Sequence, residues 1–298
     1  MPVRDDMTSF KGPLLLVAAM ALFALLDANS KLLAGRYGAD QVLLIRYGAL
    51  LLLLGILRLV WRGAGGPIGT PRPWLHLLRA LCMAGSAYGF FLAFRDIPLA
   101  EGYLVYFTAP FFTLLLAAMV LGERNGRAVW LWSAVGFLGV MVAMFPSLAP
   151  SRHAAAVPWH AYAWAFLGTM TYAGFLTISR MLRAEQNAAR LIFWSSGPLF
   201  LAILPFAIAE WIRPDAYDWL ALIANGLFAG GATLALAIAF SIDRAARLAP
   251  LEFIALVFAL ILDAAIWQLW PGAWTLAGGA IVVFACLMSE RAARNTQG

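Results

Sequence analysis

Apolar residues run along this chain in blocks of about 20, the length an α-helix needs to cross the roughly 30 Å hydrocarbon layer of a bilayer, with short breaks of Gly, Pro and Arg between them. Reading those breaks as turns predicts ten helices. The first five are Pro13–Leu33, Gln41–Val60, Leu75–Phe94, Ala100–Leu121 and Val129–Pro146. The second five are His160–Met181, Arg190–Ala209, Trp219–Phe240, Arg247–Gln268 and Trp274–Ser289. The longest connections are Trp61–Trp74 and Pro146–Trp159, and the second divides the chain into nearly equal halves. The apolar core Pro13–Leu26 behind Lys11 is short enough for a signal peptide. Its counterpart in the second half, and the lack of a clean small-x-small cleavage site after it, favour a retained helix.

Composition sharpens this picture. The hydrophobic set makes up 63% of the 298 residues and charged residues only 12%, against about 45–50% and 25% in an ordinary soluble domain, with a mean hydropathy of +0.82. A soluble globule is excluded, and ten spans leave no chain for a sizeable soluble domain. The net charge of +6 is read by its position. With the N-terminus inside, 15 of the 21 Lys and Arg fall in cytoplasmic segments, Lys31, Arg36, Arg95, Arg152 and Arg213 fall opposite, and Arg46 lies within a helix. That asymmetry puts both termini in the cytoplasm and accounts for the charge without a nucleic-acid partner; the partners expected are the lipid bilayer and a small-molecule substrate, with a single chain sufficient. Cys82 and Cys286 lie in apolar stretches and read as packing residues, so neither a disulfide nor a Cys-based metal site is expected.

The halves also align. A shift of 146 lays Ala93-Phe94 on Ala239-Phe240 and Phe107 on Phe253, a shift of 142 lays Trp132 and Gly136 on Trp274 and Gly278, and a shift of 149 lays Ser30-Lys31 on Ser179-Arg180. Five helices per unit is an odd number, so the second copy enters the membrane in the opposite sense, the arrangement of inverted-repeat secondary transporters.

At this point the residues carry a resemblance. The run Arg79–Pro146, with Ala93-Phe94-Arg95, Pro98-Leu99-Ala100, an aromatic-rich fourth helix holding Pro110, Leu121-Gly122-Glu123-Arg124, and Gly136 and Gly139 in the fifth helix, resembles the EamA-type repeat of the drug/metabolite transporter superfamily. Arg46 looks like the arginine that family often carries in its second helix. The second half, Tyr162–Glu290, is similar but has Trp270-Pro271 where the Gly-Glu pair would stand. The resemblance implies an all-α fold with two five-helix repeats, residues 13–146 and 160–290, joined by 147–159. It also implies transport of amino acids or other metabolites, in either direction.

Ionisable groups inside spans cost about 2.5–3.5 kcal/mol on insertion scales and are functional candidates by default. Asp27 and Lys31, one turn apart, are expected to pair with each other; with Arg46, Glu101 and Asp263 they form a gating or coupling set, and a proton on Asp27 or Asp263 would couple transport. Glu123-Arg124 and Asp243-Arg244 read as interfacial anchors. Tyr88, Tyr103, Tyr106, Trp164, Tyr172 and Asn225 are the expected substrate-binding residues, an aromatic and neutral lining suited to an uncharged or zwitterionic solute with an apolar body. Pro110, Pro198, Gly230 and Gly231 are expected hinges, and the four-residue glycine spacings Gly85/Gly89 and Gly226/Gly230 mark close helix contacts.

No His-Glu-x-x-His, Gly-x-Ser-x-Gly or Gly-x-x-x-x-Gly-Lys pattern occurs, so no enzyme, catalytic residue, metal, cofactor or ATP site is expected. The expectation is an inner-membrane secondary transporter exporting small metabolites, aromatic or other apolar amino acids first. The alternatives are export or import of a nucleobase or quaternary ammonium compound, and a channel.

Overall fold

A computed structural model of the chain describes residues 11–61, 65–122, 126–148, 158–185, 187–242 and 248–297. The helix-end pairs Glu123-Arg124 and Asp243-Arg244 lie outside the described residues. Among the described residues all regular structure is helical: α1 (Lys11–Ala34), α2 (Ala39–Val60), α3 (Pro73–Phe94), α4 (Leu99–Tyr106), α5 (Ala109–Val120), α6 (Arg127–Leu148), α7 (Trp159–Met181), α8 (Ala188–Ala209), α9 (Ala216–Ile242), α10 (Ile254–Trp267) and α11 (Ala273–Gln297). Short 3-10 turns stand at Arg183–Glu185 and Ala249–Phe253.

Local chemistry sets several boundaries. Pro73 opens α3, where its missing N–H is one the helix start leaves unpaired anyway. Asn187 caps α8 by accepting from the Arg190 N–H at 2.9 Å. Gln268, in the left-handed conformation at φ 57°, stops α10. The expected fourth helix is interrupted rather than continuous. Phe107 and Thr108 keep near-helical backbones, but Pro110 in the first turn of α5 cannot continue the bonding ladder, so α4 and α5 are two pieces of one rod. The expected ninth helix opens with the 3-10 turn Ala249–Phe253.

Among the described residues, seven segments are long and apolar enough to span a bilayer: α1, α2, α3, the α4–α5 rod, α6 as Arg127–Phe145, α8 and α9; α11 contributes a shorter apolar stretch, Ala273–Ser289. The apolar side chains turned outward, such as Leu59, Leu201, Phe206 and Leu220, are more than 60% exposed, which suits lipid rather than water. The chain is a multi-pass membrane protein.

The most extensive packing joins α6 to α11, α3 to α7, α1 to α9 and α2 to α8. Numbering the rods one to ten, with α4–α5 as the fourth, every one of these pairs maps onto itself or another when the first five rods are exchanged for the last five. The rods touch closely where small residues permit it, because lipid removes the hydrophobic drive between helices and leaves van der Waals contact to hold them. A Cβ on Gly89 would stand 2.7 Å from the Gly168 backbone, and one on Gly226 would stand 2.6 Å from Ala49 Cβ. The α6–α11 contact uses Gly139 against Gly278.

Two ends of the bundle can be told apart. The first holds the α1–α2, α3–α4 and α8–α9 turns, and the second holds the α2–α3 and α7–α8 turns.

Candidate functional site

Three helices bring a charged group into the apolar interior. Arg46 on α2, 9% exposed, donates from Nε to Asn225 Oδ1 on α9 at 2.6 Å and from Nη2 to the Ser30 hydroxyl on α1 at 3.0 Å. Asn225 Nδ2 donates to the same hydroxyl at 3.0 Å, and Ser30 itself donates to the Leu26 carbonyl at 2.7 Å. The guanidinium is thus held by neutral acceptors, and Asp27 is the nearby opposite charge. Neutral partners give such a cation direction without cancelling its charge.

Asp27 does not pair with Lys31. It accepts from the Tyr103 hydroxyl on α4 at 2.8 Å. Lys31 turns instead toward the first end, donating to the Ile97 carbonyl at 2.7 Å and lying 3.9 Å from Asp263 and 4.7 Å from the Trp267 ring centre. The one-turn spacing puts Asp27 and Lys31 on one face of α1, but each finds its partner elsewhere, Asp27 a donor on α4 and Lys31 an acceptor in the α3–α4 turn.

Tyr103 connects the acid to an aromatic cluster. Its ring stacks with Phe94 and meets Tyr106 and Phe107 edge-on, with centroids 6.1–6.4 Å apart. Tyr106 lies 5.1 Å from Tyr172, and Phe107 lies 4.9 Å from Phe253. Glu252 lies near enough to Tyr106 and Tyr172 for its charge to be felt at both phenols. The cluster therefore joins α3, α4, α7 and the 3-10 turn before α10 in the centre of the bundle.

Each end is tied across the two halves. At the first end, Asp263 accepts from the Leu99 and Ala100 N–H groups at 3.0 and 2.8 Å, capping the start of α4 from α10. Tyr162 on α7 donates to Glu101, and within the first half Tyr88 donates to Asp40. Gln41 exchanges two bonds with the Ile212 backbone, 2.7 and 3.0 Å. Arg36 and Tyr37 both meet Asp218, at 3.0 and 2.5 Å, and the bond to that carboxylate pushes the Tyr37 phenol up to about 12. At the second end, Glu185 accepts from Thr70 and lies 3.8, 3.5 and 3.9 Å from Arg72, His76 and Arg190. Those donors, Thr70 foremost, hold its carboxyl below the usual carboxylate range. Deeper by one turn of α3, Arg79 is 4% exposed and donates from Nη2 to the Ser195 hydroxyl at 2.6 Å and the Leu191 carbonyl at 3.2 Å.

Of the expected substrate-binding residues, Tyr103, Tyr106 and Tyr172 meet in the cluster, and Asn225 lies in the Arg46 network, which adjoins the cluster through Asp27. Tyr88 is spent on Asp40 near the first end. Trp164 lies with Leu167 and Met170 among the exposed side chains of α7, each more than a third exposed. Among the expected hinges, Pro110 marks the α4–α5 break, Pro198 lies inside α8, and Gly230 and Gly231 pack on Leu50 and Leu22. Residues the sequence reading passed over are Ser30, Ser195, Glu185 and Asp218. Only the match of Ser30 with Ser179 had drawn attention to any of them. An apolar groove of about 430 Å³ between α10 and α11, lined by Leu256, Leu260, Leu276 and Val283, opens on the outer surface and touches none of these polar groups.

Similarity to known proteins agrees with this architecture. The pattern of the EamA-like transporter family matches residues 10–145 and 159–290. The chain is 28% identical over 281 residues to the pseudopaline exporter CntI of Pseudomonas aeruginosa (strain UCBPP-PA14), covering 94% of this chain and 96% of that protein. It is 27% identical to the S-adenosylmethionine uptake transporter of Rickettsia prowazekii (strain Madrid E), covering 88% and 86%. It is 23% identical to the riboflavin transporter of Brucella anthropi, covering 89% and 95%. A crystal structure 18% identical in sequence superposes with a TM-score of 0.66 over 96% of this chain and 99% of that one, so the fold is shared. These relatives are transporters of small molecules, in both directions, and not enzymes. With two copies of the family pattern filling nearly all of its length, the chain belongs to the EamA-like transporter family of the drug/metabolite transporter superfamily.

Proposed function

We propose that the protein is a secondary transporter of the bacterial inner membrane that exports small zwitterionic metabolites with an apolar or aromatic body, amino acids such as phenylalanine first. The observation that carries this reading is the placement of two opposite charges beside one aromatic cluster. Asp27, held by Tyr103, suits an ammonium; Arg46, held by Asn225 and Ser30, suits a carboxylate; the rings of Tyr103, Tyr106, Phe107 and Tyr172 suit the body between them. Both termini are cytoplasmic in this reading, on the excess of Arg and Lys counted above, and a single chain holds the whole site.

The mechanism is alternating access between two inverted five-helix units, 13–146 and 160–290. Its support is a set of cross-links that recur with their residue types exchanged. In the register that lays α2 on α8 by a shift of 149 and α3 on α9 by 146, Arg36 corresponds to Glu185 and Asp218 to Arg72. The first end is tied by Arg36–Asp218 at 3.0 Å and the second by Arg72–Glu185 at 3.8 Å, the same positions with the charges reversed. Opening one side then requires breaking one tie while the other holds. Asp27 carries the coupling proton, because a single phenol donor holds it, whereas Asp263 is held by two N–H groups and Lys31.

A cationic solute is the second reading, favoured by Asp27 and Glu252 around the same rings and by the relative named as an S-adenosylmethionine uptake transporter. Uptake into proteoliposomes of labelled phenylalanine, methionine, threonine, a nucleobase and a quaternary ammonium compound, with and without a pH gradient, separates the readings. Saturable flux of the amino acids supports the proposal, and flux confined to the cation or nucleobase removes it.

A further inference from the structure

We infer that Arg79 is a second carboxylate-binding residue for the transported solute, met on the side of the aromatic cluster that faces the second end. This deepens the proposed reading and rests on it for the identity of the solute, but not for the anion site itself.

Arg79 is a buried cation without an acid. Among the described residues no carboxylate lies within ion-pair distance of it, and Glu185, at the same end of the bundle, is engaged with Thr70, Arg72, His76 and Arg190. One terminal nitrogen of Arg79 uses its donors on Ser195 and the Leu191 carbonyl, while Nε is buried with no acceptor at all. A guanidinium is always charged, and leaving one of its donors unmet in a low-dielectric interior is costly, so such a group is retained where an anion arrives to meet it. The position leads into the solute path. The guanidinium carbon stands 5.0 Å from the Phe175 ring centre, Phe175 stacks on Tyr172 at 5.9 Å, and Tyr172 meets Tyr106 at 5.1 Å in the central cluster.

The internal register makes the same point independently. The shift of 146 lays Arg79 on Asn225, and the shift of 149 lays Arg46 on Ser195. Arg46 bonds Asn225 at 2.6 Å, and Arg79 bonds Ser195 at 2.6 Å. One helix crossing, used twice, therefore holds an arginine on a neutral partner each time, with the arginine moved to the other strand of the crossing. A solute whose carboxylate rests on Arg46 near the first end meets an equivalent group on its way to the second. The bidentate fork of arginine matches a carboxylate and not its amide.

The test uses the purified full-length protein in detergent and two probes of one shape, 3-phenylpropionate and 3-phenylpropionamide, with affinity read from the ligand-dependent rise in thermal midpoint. The wild type is expected to prefer the acid by at least about tenfold. Arg79→Gln is expected to cut that preference at least about threefold, leaving the share that Arg46 supplies, while Arg46→Gln leaves the share that Arg79 supplies and Arg79→Lys keeps part of the wild-type preference. If Arg79→Gln does not fold, the Lys variant decides: a preference equal to wild type, with the fork geometry gone, overturns the inference. So does a wild type with no acid preference, or an Arg79→Gln protein that keeps all of it. Phenylalanine flux is measured in parallel. Lost flux with acid preference intact removes the amino-acid reading alone, and intact flux without acid preference removes the Arg79 site alone.

Discussion

Asp263 offers the sharpest separation of a structural carboxylate from a functional one. Its two oxygens accept from the Leu99 and Ala100 N–H groups at 3.0 and 2.8 Å inside a residue 2% exposed, and its charge faces Lys31 at 3.9 Å. In Asp263→Ala both N–H groups lose their acceptor, at about 1–3 kcal/mol each, and α4 loses an anion at its positive end, about 0.3–1 kcal/mol more. Water reaching the exposed turn around Arg95 and Asp96 offsets part of this, leaving about 3 kcal/mol. At roughly 2–4 °C per kcal/mol for a chain of this size class, the thermal midpoint falls by about 6–12 °C. Asp263→Asn keeps one acceptor and falls by about half as much. The assay is thermal unfolding in detergent, read by a maleimide dye that reports exposure of Cys82 and Cys286, neither of which is in a disulfide. A midpoint within about 2 °C of wild type for Asp263→Ala, together with lost pH dependence of flux, would refute the reasoning and make Asp263 the proton carrier.

Other consequences follow from the same geometry. Asp27→Asn gives up the charge beneath one hydrogen bond from Tyr103; its midpoint shifts by little, about 1 kcal/mol or less, while flux loses its response to a pH gradient, as measured in proteoliposomes with the interior set at two pH values. Arg36→Asp or Asp218→Arg alone loosens the first end, and the double exchange recovers the thermal midpoint of wild type at low salt, the coupling staying under about 1 kcal/mol because Arg36 is largely exposed. Stability as a function of pH has a plateau. Glu185, with its carboxyl held low, contributes above the ordinary carboxylate range and loses that contribution as the pH falls through its depressed value; Tyr37, pushed up to about 12, contributes below about 10 and loses it as the pH rises toward 12. Melts across pH should show the acid limb shrinking in Glu185→Gln and the alkaline limb in Tyr37→Phe.

Much of this molecule is legible in its letters because a bilayer simplifies the problem. With backbone groups unable to find water, apolar blocks must be helices; seven of the ten expected helices lie within a few residues of their observed ends, and an eighth, the last, starts in place but runs to Gln297 rather than Ser289. The other two, the fourth and ninth, each contain a proline near the start of an aromatic stretch, Pro110 and Pro250, and a proline signals a break without saying whether it bends a helix or divides it. Side-chain partners are harder, because they depend on which helices adjoin. Asp27 and Lys31 are four residues apart and were expected to pair, yet each finds a partner more than 60 residues away, Tyr103 and Ile97. The Arg46–Asn225 and Arg79–Ser195 bonds span 179 and 116 residues. Only the internal register links those four positions, and applying it beyond the apolar matches would have brought them together.

The central claim is alternating access to one central site, and counterflow tests it most directly. Proteoliposomes loaded with unlabelled phenylalanine are diluted into a trace of the labelled amino acid, and entry is followed over time. The account predicts a transient accumulation of label above equilibrium that is absent from empty vesicles and abolished in Arg46→Gln. Entry that is indifferent to the internal phenylalanine, and proportional to the external concentration without saturation, would contradict it and describe a pore.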